Sequence, residues 1–163
     1  MGAVSMRRLG LGAIGLAWLS LGGCKAKPQN FSTTVEVMQV RLFGGGTGAK
    51  LTDLDVKYDQ CPGDARQIMR LGKEFAECSS KLKVGDKLKA DVVLSWNAER
   101  GTFRNEIVHL GACDVKLDPK DEANYQSFEN CSDVKATGSV VGVRCERNRS
   151  DAVLAACPWL RRN

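Results

Sequence analysis

Lys87-Leu88-Lys89-Ala90-Asp91-Val92-Val93-Leu94-Ser95-Trp96 is the stretch that decides the fold class. Leu88, Ala90, Val92, Leu94 and Trp96 take alternate positions, and Lys87, Lys89, Asp91 and Ser95 fall between them. A period of two sends these sets to opposite faces of a strand, one buried and one in water. Working outward, Lys83 to Asp86 reads as the turn that leads in, and Asn97 to Gly101 as the polar turn that leads out. Thr102 to Leu110 then returns as the partner strand, and Cys113 to Leu117 adds a short edge.

Upstream, Phe31 to Phe43 is rich in Val, Thr and Phe and predicts a long strand. Val35 and Val37 share one phase, while Met38, Val40 and Leu42 share the other, so a bulge or bend is expected near Val37. Gly44 to Gly48 forms a loop, after which Leu54, Val56 and Tyr58 alternate with Asp53, Asp55, Lys57 and Asp59 as a second strand of a hairpin. Pro62-Gly63-Asp64 is a turn, with Asp64 as N-cap of a helix over Ala65 to Cys78, where Ile68, Met69, Leu71 and Phe75 fall at helical spacings. Asp118 to Asn130 is polar, with room for a helical turn or two. Val134 to Arg144 reads as one further strand, with Gly138 and Gly142 marking close packing or bending. Ser150 caps a short helix, Asp151 to Cys157, which Pro158 ends, and Trp159 and Leu160 pack back on the domain.

The pattern is mainly β with short helices, an α+β class built on antiparallel strands. A bent first hairpin and a helix between sheet segments suit a small OB-like or other partly open Greek-key barrel, with a decorated meander as the alternative.

The first residues have a different character. Arg7 and Arg8 precede an uncharged apolar run, Leu9 to Leu21, and Leu21-Gly22-Gly23-Cys24 follows. The run is short of the roughly 20 residues of a membrane span but fits the h-region of a signal peptide. Leu21-Gly22-Gly23-Cys24 resembles the lipobox of bacterial lipoproteins. That resemblance covers residues 1–24 and says nothing of the domain that follows. It implies a signal peptide over residues 1–23, a diacylglyceryl thioether and an added acyl chain such as palmitate on Cys24, and a tether over residues 24–30 ahead of a single domain at 31–163. Two or three acyl chains hold a protein on a membrane where one binds reversibly. Lys25 in place of Asp implies the outer membrane, facing the periplasm or the surface.

Setting Cys24 aside leaves six cysteines: Cys61, Cys78, Cys113, Cys131, Cys145 and Cys157. In an oxidising envelope an even six reads as three disulfides. Many connectivities are open to six cysteines, and the sequential set Cys61–Cys78, Cys113–Cys131 and Cys145–Cys157 is expected because each pair brackets one local element. The leader takes two of the 24 basic residues and none of the 19 acidic ones, which leaves a mild +3. Nucleic-acid binding asks for a stronger and clustered excess, so no nucleic-acid partner is expected.

The constellations that invite chemistry fall short of their templates. Gly44-Gly45-Gly46-Thr47-Gly48-Ala49-Lys50 lacks the Gly-Lys-Ser/Thr ending of a phosphate loop. His109, the single histidine, has Glu106 and Cys113 nearby, but the cysteines are wanted for disulfides, and plain alternation puts Glu106 and His109 on opposite faces. A hydrolase would have to use His109, without a Gly-x-Ser-x-Gly elbow. Asp114, Asp118, Asp121 and Glu122 lack the spacing of a calcium loop and read as a solvated acidic face. No Cys-x-x-Cys pair suggests redox work.

Lys81, Lys83, Lys87 and Lys89 suit either anionic headgroups or plain solvation of a strand face. Trp96, Trp159 and Tyr58 would make a sugar-stacking surface if they came together. No cofactor or metal is expected. The sequence therefore predicts a membrane-anchored accessory or binding subunit with an envelope protein or glycan as partner, and a polysaccharide-, peptide- or lipid-binding module as the alternative.

Overall fold

The computed structural model of the protein describes residues 26–44, 50–146 and 150–161. The lipobox with Cys24, and most of the Gly44–Lys50 loop, lie outside them. Eight antiparallel strands form one open sheet: β1 (Gln29–Gly44), β2 (Lys50–Tyr58), β3 (Arg66–Leu71), β4 (Lys87–Asn97), β5 (Thr102–Leu110), β6 (Cys113–Asp114), β7 (Ser127–Ala136) and β8 (Ser139–Glu146). Their order across the sheet is β6-β5-β4-β1-β2-β3-β7-β8. Two short helices, α1 (Lys73–Ser79) and α2 (Asp151–Ala156), and 3₁₀ turns at Glu122–Tyr125 and Pro158–Leu160 complete the α+β architecture.

The expected barrel does not close among the described residues. The sheet runs out at the two-residue β6 on one side and at the β7–β8 hairpin on the other. Its inner face is covered by helical segments instead of by more sheet. Val35, Leu54, Val56, Met69, Val92 and Ile107 are buried there against Phe75 of α1, Val153 of α2, and Trp159 and Leu160. The Trp159 ring sits 5.5 Å from Phe31 and 5.9 Å from Tyr58.

β1 is long enough to serve two partners. Its first half pairs with β4 and its second with β2, and the register shifts between Val37 and Gln39, where the phase of the sequence changes. The backbone of Val37 is held on the Lys83–Asp86 turn, donating to the Asp86 carbonyl at 2.9 Å and accepting from Gly85 N–H at 2.8 Å. β4 buries Ala90, Val92 and Leu94 as its alternation requires. Ser150 caps α2, its hydroxyl accepting from Val153 N–H.

Three expectations are corrected. The helix over Ala65 to Cys78 is a strand followed by a helix. Gln67, Met69 and Leu71 turn inward while Arg66 and Arg70 turn outward, and β2 offers Arg66–Leu71 a full ladder. Asp64 is no N-cap: with Gly63 it takes a positive φ, 72° then 50°, in the turn between β2 and β3. Gly63 is needed there twice over, since a Cβ would also meet Asn130 Oδ1 at 3.1 Å.

The strand expected over Val134 to Arg144 is a hairpin. Thr137 and Gly138 both have positive φ, 48° and 82°, which suits a two-residue turn joining β7 to β8. The disulfides, finally, are not sequential. Cys61 joins Cys157, Cys78 joins Cys113, and Cys131 joins Cys145, with Cα–Cα distances of 5.8, 5.9 and 4.1 Å. The sequential set assumed that a single helix separated Cys61 from Cys78. The actual β3–α1 run carries Cys78 off to β6 and leaves Cys61 beside the end of α2.

Candidate functional site

Among the described residues, the outer face of the sheet carries the one place where oppositely charged groups are buried together. Asp55 on β2 and Arg66 on β3 point away from the hydrophobic layer, yet they are only 5% and 3% exposed, because the β7–β8 hairpin bends over them. Arg66 Nη1 donates to Asp55 Oδ2 at 3.2 Å and to Asp133 Oδ1 of β7 at 3.1 Å. Its Nη2 donates to Asp64 Oδ2 at 3.1 Å, and Lys57 Nζ lies 3.4 Å from Asp64 Oδ1. Three carboxylates thus face one guanidinium and one ammonium.

Burial works against the Arg66 charge, but its bonds to Asp64 and Asp133 and the nearby Asp55 outweigh it and hold the group firmly protonated. Burial raises the Asp55 carboxyl to about 6, against the opposing pull of Arg66. Asp55 Oδ1 is buried with no hydrogen-bond partner.

Asp55 lies at the meeting of two clefts between the sheet and the hairpin. The larger, about 270 Å³, is walled by Met38, Val40, Val84, Val140 and Val143, and its only charged lining residues are Asp55 and Asp133. The smaller, about 170 Å³, opens toward Arg41, Asp53 and Ile68. Val84 is 69% exposed and Val140 40%, so the rim of the larger cleft is apolar and open to water.

The residues picked out from the sequence do not gather here. His109 stands on β5, well exposed, with Nδ1 3.7 Å from Asp91 Oδ2 and Nε2 3.3 Å from Asp114 Oδ1. Ser32 Oγ donates to Asp91 Oδ1 rather than to the imidazole, so the groups of a hydrolase are present in the wrong order. A bulge in the β4–β5 ladder puts His109 opposite Asp91 and Glu106 opposite Val93, which places Glu106 and His109 on one face, contrary to plain alternation. Cys113 is taken by its disulfide. Among the described residues no three His, Cys, Asp or Glu side chains are set to hold a metal ion.

Asp118 and Asp121 accept from the backbone N–H groups of Lys120 and Ala123, as local turn caps. Trp159 and Tyr58 are buried, whereas Trp96 is exposed and packs edge-on against Phe103, so no three-ring surface forms. Lys87 and Lys89 are exposed on β4, which lies inside the sheet, and Lys87 pairs with Asp59 at 2.9 Å. A depression of about 360 Å³ beside α1 is lined by Gly72, Phe75 and the exposed charges Lys73, Glu74, Asp114 and Lys116, with no buried polar atom aimed into it.

Asp55, Arg66 and Asp133 escaped the sequence reading. Asp55 has the polar phase of β2, which predicts contact with water, and Arg66 falls in a run whose apolar residues have helical spacings. No family model, curated protein or solved structure matches this chain.

Proposed function

We propose that this chain is a lipid-anchored bacterial envelope lipoprotein that works as a non-catalytic binding or accessory subunit, held by acyl chains on Cys24 to the periplasmic or outer surface of the outer membrane. The observation that carries the reading is Leu21-Gly22-Gly23-Cys24 behind a charged and then apolar leader. Two features support it. The other six cysteines are all paired, which belongs to an oxidising compartment and leaves Cys24 as the odd thiol for lipid. The outer-face cleft, with an apolar rim and an acidic floor, has the chemistry of a recognition site and holds no nucleophile beside a base.

The test is made in cells. Cys24→Ser is expected to abolish labelling by radioactive palmitate and to leave the protein unprocessed or free of the membrane. A Cys24→Ser protein that still fractionates as a lipid-modified mature form overturns the anchoring. Crosslinking of the tagged protein, read by mass spectrometry, is expected to recover one envelope protein in near-equal amount. Lipid or glycan recovered alone would replace the accessory role with that of a ligand-binding module.

A further inference from the structure

We propose that the outer-face cleft between the sheet and the β7–β8 hairpin is a docking site for a lysine or arginine side chain on an extended segment of a partner protein, with Asp55 and Asp133 receiving its charge. The inference deepens the binding-subunit reading and rests on it. Charge is the first argument. Within their own ion pairs Asp55, Asp64 and Asp133 face Arg66 and Lys57, one positive charge short, with Asp55 and Arg66 buried, the other three about a third exposed, and Arg41 set apart in the smaller cleft. Burying an unpaired carboxylate is costly, and a cation that reaches it gains a charge-assisted hydrogen bond at low dielectric.

Asp55 Oδ1 is the atom with that vacancy, and Asp55 lines both clefts. Shape is the second argument. Met38, Val40, Val84, Val140 and Val143 offer walls to an aliphatic stem on its way to the acids, the arrangement that long cationic side chains favour. At about 270 Å³ the cleft falls below the roughly 300–1,000 Å³ of small-molecule sites and suits one side chain.

The wall itself points to a polypeptide. β8 ends the sheet, so one of its edges has no strand partner among the described residues. Val140, Gly142 and Val143 belong to this strand and line the cleft. An extended segment laid along an open edge gains main-chain bonds while one side chain enters a neighbouring pocket.

The test uses the full chain, ¹⁵N-labelled and held in a zwitterionic detergent micelle, titrated at neutral pH with the blocked peptide Ac-Thr-Val-Lys-Val-Thr-NH₂ and with its norleucine counterpart. Saturable amide shifts are expected at Asp55, Gly142 and Val143, with the lysine peptide about tenfold tighter than the norleucine one, as a charge-assisted bond implies. Asp55→Asn is expected to erase that preference. Val140→Phe is a second block that leaves every charge in place. Val140 lines the cleft and is 40% exposed, so a larger side chain has room at the rim while it fills the mouth of the cleft.

No shifts at the cleft, equal affinity for the two peptides, or a lysine preference that survives in both variants each overturn the proposal. The anchoring reading would stand in any of these cases, since it is decided on Cys24 in cells.

Discussion

Gln67 and Arg66 are neighbours on β3, both buried, and they turn to opposite faces of the sheet. On the inner face Gln67 is the hub of a neutral network. Its Oε1 accepts from the Tyr58 hydroxyl and from Asn105 Nδ2 at 3.1 Å, and its Nε2 donates to the Asn124 carbonyl at 2.9 Å. Asn124 Oδ1 in turn accepts from Arg70 N–H at 2.6 Å. On the outer face Arg66 is the hub of an ionic network in which one acceptor, Asp55 Oδ1, has no partner. The inner hub is enclosed by three elements and the hydrophobic layer, whereas the outer one is covered by a hairpin that pairs with the sheet only at Arg66–Phe128 and Gln67–Ser127. Each network leaves one buried atom without a partner, Asn124 Nδ2 inside and Asp55 Oδ1 outside. The inner one is a neutral amide within the core, whereas the outer one is a carboxylate oxygen under a thin cover beside two clefts, and that position suits a site that waits for a partner.

Removing the staples of the two regions should break the comparison most severely. Cys61–Cys157 closes 96 residues and ties the β2–β3 turn to the end of α2 under the hydrophobic layer. In the chain-entropy view its loss by Cys61→Ala and Cys157→Ala together costs about 4–5 kcal/mol, read as a lowered midpoint of urea unfolding for the whole domain. Cys131–Cys145 closes only 14 residues inside the hairpin. The same double replacement there costs about 3 kcal/mol or less, with hydrogen exchange rising first in β7 and β8.

Next comes the hub itself. Arg66→Met removes the cation and leaves Asp55 buried without compensation, for an expected loss of about 3–5 kcal/mol by urea denaturation. Adding Asp55→Leu should return much of that loss, because replacing a buried pair by apolar groups of similar volume is often close to neutral. A double variant no better than Arg66→Met would show that Asp55 is solvated in solution and that the hairpin does not cover it.

The contrast also has a pH dependence. Asp55 holds its proton up to about 6 in the folded protein, against an ordinary 3.8, because burial disfavours its charge. Between those values the folded state carries a proton that the unfolded state has lost, so stability falls as pH rises from about 4 to about 6. The full difference amounts to about 3 kcal/mol. The groups facing it are Arg66, Asp64 and Asp133, with Lys57 behind Asp64. Glu106 is also raised by burial and acts in the same direction, so the quantity to measure is the difference between the wild type and Asp55→Asn. The wild type should lose stability relative to the variant across that window, and parallel pH profiles would sink the idea.

What could be read from the sequence divides along the same line. β1, β2, β4 and β5, the Val37 bulge and the Ser150 cap were legible because each is written in local alternation or capping chemistry. The disulfide pairing was not, since it depends on which strand β2 recruits, and Arg66–Leu71 carries helical and extended spacings at once. The hairpin turn at Thr137-Gly138 is hidden because a glycine inside a Val-rich run marks close packing or a bend as readily as a reversal of the chain. The cleft was hidden most fully. Asp55 has the phase of a solvent-facing residue, and only the hairpin, placed by tertiary structure, turns that face into an interior. The same holds for the Glu106–His109 relation, where one bulge in β5 reversed the expected face.

The smallest expected effect isolates the hairpin's part. Arg70 lies four residues beyond Arg66 on the same strand and the same face, and it too meets an aspartate, with Nε and Nη2 donating to the two oxygens of Asp53 at 2.7 and 2.8 Å. The geometry is better than that of the Arg66–Asp55 pair, but the Arg70 side chain is 56% exposed where that of Arg66 is 4%. If geometry governed, Arg70→Met would cost the more. Water screens an exposed pair to about 0–1 kcal/mol, so the expected order is the reverse, and Arg70→Met should shift the unfolding midpoint far less than Arg66→Met. Loosening the hairpin by Cys131→Ala and Cys145→Ala should then narrow the gap between the two arginine variants, because solvent reaching Asp55 lowers the cost of leaving it unpaired. A gap that stays unchanged in the loosened protein would place the cost of Arg66→Met in lost packing instead, and would remove the covering hairpin from the account of why the two faces differ.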